Sequence, residues 1–130
     1  MLKKFLQNEQ GSAIVEVAIM FPVILALVVG FIMFTLAVRT DTVLQTAARE
    51  AAREYAVTHN AASAREKARK ELSLGGIDHK RTVITIDTVG YEKRVSIEML
   101  YPIYVPLAGG YSPTLKGVAG FHEEVETSYW

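Results

Sequence analysis

From Val17 to Val38 the chain reads VAIMFPVILALVVGFIMFTLAV, 22 consecutive positions without one ionisable side chain. As a helix rising about 1.5 Å per residue, the run is roughly 33 Å long, enough to cross the ~30 Å hydrocarbon core of a bilayer. In lipid a segment must satisfy its backbone N–H and C=O groups internally, which selects an α-helix for a lone segment of this length. The single charge at its mouth is Glu16. At the bilayer centre an acidic side chain costs about 2.5–3.5 kcal/mol on insertion scales. At the edge it reaches water, and a helix N-terminus favours negative charge.

The residues just before Glu16 give the carboxylate a second reading. If the chain is cut between Gly11 and Ser12, Ser12 carries a free α-ammonium at the tip of the helix. Glu16 lies four positions on, on the same face, where it can pair with that amine or with the amine of a neighbouring chain. Two groups that are costly apart in lipid then neutralise each other between packed helices. The leader MLKKFLQNEQG carries Lys3 and Lys4 and has no long apolar core of its own. It therefore differs from a secretory signal, whose apolar region is about 7–15 residues long and precedes a small-residue cleavage site. The basic leader favours a cytoplasmic N-terminus, and Arg39 on the far side makes that bias modest.

The segment GSAIVEVAIMFP resembles the signature of TadE-like minor pilins, or pseudopilins, of the tight-adherence (Tad/Flp) pilus system, with Gly11, Ser12, Glu16 and Pro22 at the four matching positions. Val17 stands where an aromatic residue is common in that family. The resemblance implies a prepilin peptidase that removes residues 1–11, a transmembrane and assembly helix over 12–38, and a small extracytoplasmic domain over 39–130. It also implies partners: the peptidase, a second pseudopilin of the TadE/TadF type, the major Flp pilin, and the inner-membrane platform with its ATPase. The implied location is the inner membrane, single-pass, with the outer domain extracytoplasmic and a place in the surface pilus open to it.

Composition bounds the remainder. Lysine plus arginine and aspartate plus glutamate number 14 each, so the formal net charge is zero, and nothing in that balance points to nucleic acid. About 92 residues follow the apolar run, room for one small domain. There is no cysteine, so an exported domain has no disulfide and depends on packing or on neighbours.

Within the run, Pro22 removes a backbone donor and is expected to bend or loosen the helix. Ala26 and Gly30 form a small-xxx-small pair suited to close helix approach. Beyond the run, DTVLQTAAREAAREYAV sets Leu44, Ala47, Ala48, Ala51 and Tyr55 on one stripe, which predicts that the helix continues outward as a stalk. Asn60 and Ser63 are alternative N-caps for a second helix, AASAREKARKELSL, with Ala61, Ala64, Ala68 and Leu72 on one face and Gly75-Gly76 as its stop. The period then changes to two. TVITIDTV predicts a strand, GYEK a turn, and RVSIEMLYPIYV a strand with Val95, Ile97, Met99, Tyr101 and Ile103 on one side. LAGGYSPTLKG reads as a loop after Pro102 and Pro106, and VAGFHEEVET as a third strand with Ala119, Phe121, Glu123 and Val125 on one face. The expected fold is α+β and pilin-like: a long helix, a short helix, then an antiparallel sheet of about three strands.

Signals for catalysis are thin. His59, His79 and His122 are scattered, without the HExxH spacing and without cysteine to complete a zinc site. His122-Glu123-Glu124 has metal-capable types, but neighbours on a strand point to opposite faces. Ala108-Gly109-Gly110-Tyr111 lacks the lysine of a phosphate loop. Glu123, Glu124 and Glu126 show no acid–base pairing pattern. No catalytic residue, metal or cofactor is expected, and the chain reads as a substrate of the peptidase. The competing reading is an uncleaved single-pass anchor carrying an extracytoplasmic binding domain, with Glu16 incidental.

Overall fold

The computed structural model describes residues 9–122. A single helix, α1, runs from Glu9 to Thr58 without a break, and α2 follows over Ala61–Leu74. After a 3-10 turn at His79–Arg81 come β1 (Thr82–Val89), β2 (Glu92–Leu100), β3 (Ile103–Val105), β4 (Gly109–Tyr111) and β5 (Thr114–His122). Strands β1, β2 and β5 form an antiparallel sheet in the order β1-β2-β5, while β3 and β4 make a separate hairpin. The architecture is the expected α+β, pilin-like one, with the hairpin added.

The core sits where small side chains let α1 approach its neighbours. Leu44, Ala47, Ala48, Ala51 and Ala52 are fully buried on α1, Ala64, Ala68 and Leu72 on α2, and Val95 and Ile97 on β2. Alanine combines the highest helix propensity with the least bulk, so the two antiparallel helices pack closely without losing helical order. The sheet brings Ile84 and Ile86 opposite Ile97 and Val95, and sets Gly117 and Ala119 on their other side. Helix α1 lies against β2 and β5, and α2 packs beside α1 toward β1. Truncating Leu72 to alanine leaves a cavity at the meeting of both helices. Leu72→Ala is expected to cost about 2–5 kcal/mol, read as a lowered denaturation midpoint of the full chain in detergent.

The two-residue connection between the helices is set by local chemistry. His59 adopts φ 53, the left-handed conformation common just past a helix end. Asn60 is the N-cap of α2: its side-chain oxygen accepts from the Ala62 N–H at 2.9 Å and from the Ser63 N–H at 3.4 Å. Ser63, the other candidate cap, instead donates its hydroxyl to Glu54 Oε1 at 2.7 Å and ties α2 back to α1. Loss of the cap in Asn60→Ala is expected to cost about 1 kcal/mol in the same unfolding measurement. Between β1 and β2 the turn is Gly90-Tyr91, shorter than GYEK, since Glu92 already pairs with Val89. Gly90 supplies φ 63, the positive value a tight hairpin turn requires at its first central position.

Three expectations for the C-terminal third are corrected. RVSIEMLYPIYV is not one strand. Pro102 has no N–H for the ladder, so β2 stops at Leu100, the Tyr101 N–H bonds the Pro113 carbonyl at 3.0 Å, and Ile103 belongs to the hairpin. LAGGYSPTLKG is not a loop throughout, because Gly109–Tyr111 is β4 and the last strand has begun by Thr114. That last strand, β5, starts four residues before VAGFHEEVET; Glu123 and Val125, like Glu124, Glu126 and the leader lysines Lys3 and Lys4, lie outside the described residues.

Gly117 is mid-strand and faces α1. A Cβ built there would lie 2.5 Å from the Leu44 carbonyl carbon and oxygen and 2.7 Å from the Gln45 nitrogen. Only a residue without a side chain lets β5 come this close to the helix backbone.

Candidate functional site

From Gly11 to Leu36, α1 contains no buried side chain. Ile14 is 70% exposed and Phe31 73%, and apolar side chains stand out on every side of the helix between them. The helix is long and apolar enough to cross a membrane. Its first buried residue is Ala37, at the end of the uncharged run, so the packed domain begins where the run stops. An apolar surface of this extent needs lipid or other helices around it. The polar group inside it is accommodated locally: Thr35 donates its hydroxyl to the Phe31 carbonyl at 2.9 Å.

Gly11, Ser12, Glu16, Pro22, Ala26 and Gly30 all fall within α1. Ser12 and Glu16 are exposed and one helical turn apart, so nothing in the fold of the chain itself shields that face. Gly11 and Ser12 are both helical, so the peptide bond between them lies within α1. The helix continues through Pro22, where the missing N–H leaves the Ala18 carbonyl without its usual partner. Ala26 and Gly30 lie one turn apart, and a Cβ added at Gly30 would meet nothing within 4 Å. The shallow strip they make is therefore open to an approaching helix.

Over residues 11–53 the chain matches the family model described as TadE-like protein. Residues 11–53 are a TadE-like segment. The match covers the exposed apolar half of α1 and the buried stripe from Leu44 to Ala52, and it stops short of α2 and the sheet. No curated protein and no solved structure matches the chain. The TadE-like segment thus joins two physically distinct pieces of one helix, an unpacked apolar rod and the spine of a small domain.

Elsewhere the candidate chemistry does not converge. His59 follows α1, His79 opens the 3-10 turn and His122 lies on β5. Among the described residues no three His, Asp or Glu side chains come together as a metal site. The cavity at the lower end of the domain, about 250 Å³, is lined by Leu36, Arg39, Val43, Gly75, Ile77 and Tyr101 and has no catalytic pairing. Sequence reasoning overlooked Gly117 and the β3–β4 hairpin. A signal for the hairpin was present, since Met99 to Leu115 is a second uncharged run.

Proposed function

We propose that this chain is a pseudopilin, a minor pilin-like subunit that takes part in assembling a Tad-type adhesive pilus. The observation that carries the proposal is a TadE-like segment whose apolar half leaves its whole circumference uncovered while its other half is the spine of a packed domain. A chain built in this way inserts in the inner membrane and offers the same helix to the helices of other subunits. Its N-terminus is cytoplasmic and the domain over 39–130 faces outward.

A prepilin peptidase cuts between Gly11 and Ser12 and releases the basic leader, leaving the helix over 12–38 in the membrane. Because that bond is helical, the backbone around it opens locally before the cut. Ser12 then presents an ammonium that Glu16 of the same or a neighbouring chain neutralises. Pro22 loosens the helix toward its cytoplasmic end, and Ala26 with Gly30 gives the neighbouring helix a close path. The remaining partners are a second pseudopilin, the major pilin and the membrane platform with its ATPase. No catalytic role is assigned to the chain.

Deleting the chain from a cell that carries the pilus machinery tests this reading. Surface fibres counted by electron microscopy should fall sharply and return when the full chain is supplied again. Unchanged piliation in the deletion would overturn it.

A further inference from the structure

The end of the domain nearest the apolar run is unlike the rest. From Met99 to Leu115 there is no acidic or basic side chain, and the flanking Glu98 and Lys116 pair with each other at 2.7 Å. Strand β2 descends α1 toward this end: Lys93 lies over the Tyr55 ring, Gly117, the partner of Ile97, lies against Leu44, and Tyr101 shares a cavity with Leu36 and Arg39. The β3–β4 hairpin follows directly, with β3 packed on α1 and Ile103 and Val105 half-buried. Leu36 is two residues from the end of the apolar run, about 3 Å along the helix, so what packs beside it sits at nearly the same depth.

The hairpin turns its remaining large side chains outward. Leu107 at the tip is 86% exposed and holds φ 73, a left-handed backbone that branched residues rarely adopt. Tyr104 and Tyr111 are also exposed, as is Leu100 at the end of β2. A turn meeting water is normally built from small polar residues and glycine. Tyrosine is instead enriched where a protein meets the headgroup layer, because its ring is apolar and its hydroxyl is not. Basic groups stand at the same end. Lys80 and Arg81 directly precede Thr82, the partner of Met99, and Arg39 ends the apolar run. The carboxylates there have internal partners: Asp41 accepts from Gln45 at 2.9 Å, and Asp78 accepts from the Lys80 N–H at 3.0 Å.

We infer that the β3–β4 hairpin docks into the interfacial layer of the same bilayer that α1 crosses, with Tyr104 and Tyr111 at headgroup level and Leu107 at the acyl boundary. The inference rests on the reading of residues 17–38 as membrane-spanning. Continuity with that apolar run, the absence of charge and the flanking cations select lipid as the occupant. The outer domain is then held against the membrane by two elements, and the hairpin limits how far it tilts about α1.

The chain has no cysteine, so single nitroxide labels can be placed cleanly. Full-length Leu107→Cys, Val57→Cys and Ile24→Cys proteins, labelled and reconstituted in phosphatidylcholine–phosphatidylglycerol vesicles, would be compared by collision of each nitroxide with oxygen and with a water-soluble nickel chelate. Position 57, exposed at the distal end of α1, is the aqueous reference. The label at 107 should meet the chelate several-fold less often than the label at 57 and oxygen more often. Equal chelate access at 107 and 57, with 24 protected, would overturn the hairpin docking and leave the spanning helix standing. Chelate access at 24 would overturn the spanning reading and the docking with it. Protection at 107 that vanishes on diluting the protein in lipid would make a second copy the occupant and overturn the inference as well.

Discussion

Gly117→Val should abolish the packed outer domain while leaving the apolar half of α1 able to insert. Even one added methyl group would overlap the Leu44 carbonyl and approach the Gln45 nitrogen at 2.7 Å. Those atoms are helix backbone, and Leu44 itself is fully buried, so neither can move aside without disturbing the core. Relief requires β5 to lift from α1, which also separates Ala119 and Val95 from the buried alanine stripe. Overpacking of this kind costs about 1–3 kcal/mol and sometimes more, a large share of what a domain this small has to spare. Gly117→Ala should therefore lower the denaturation midpoint markedly, and Gly117→Val should remove the cooperative transition. Gly110→Ala is the control: its new Cβ would meet only the Tyr104 ring, at 3.9 Å, and should change little. A Gly117→Val chain that unfolds at the wild-type midpoint would show that β5 does not approach α1 so closely.

Glu16→Gln should separate insertion from assembly. Glutamine keeps the size and hydrogen-bonding capacity of the side chain and removes its charge, so the apolar run enters the membrane at least as readily as before. The proposed pairing with the Ser12 ammonium is lost, and each new amine is left uncompensated at the lipid edge. An isolated charge out of water is costly, whereas a paired one is tolerated. Membrane fractions should hold Glu16→Gln and Glu16→Ala chains at the wild-type level, while surface fibres fall several-fold. Full piliation by both variants would remove Glu16 from the assembly step. Since Glu16 is exposed on α1, neither variant should alter the unfolding of the outer domain.

Much of this architecture is legible from residue types alone, for reasons that differ along the chain. Helix α2 is readable because an alanine face and a glycine pair agree on its extent, and of its two candidate caps Asn60 takes the place while Ser63 turns to Glu54. Strand β1 is equally clear, since β-branched residues alternate over its full length and Ile84 and Ile86 do turn inward. The stripe from Leu44 to Ala51 is read correctly, and the buried set includes Ala52 as well, because the sheet and α2 clasp α1 from two sides. The C-terminal third misleads for a physical reason. Pro102 does end a strand, but a new one starts immediately beyond it. Glycine is a poor strand former, yet at Gly117 the requirement for close approach outweighs its low propensity. Such tertiary demands are invisible in a local pattern.

The six positions that point to assembly all stand on α1, and their proposed roles act through a cut terminus and neighbouring helices. The terminus is accessible to one experiment. Intact-mass spectrometry of the chain extracted from membranes of cells with a working prepilin peptidase should give a species that begins at Ser12, with or without an N-methyl group. A chain that still starts at Met1, in cells whose pili are normal, would contradict the proposed processing and leave a tethered domain in its place.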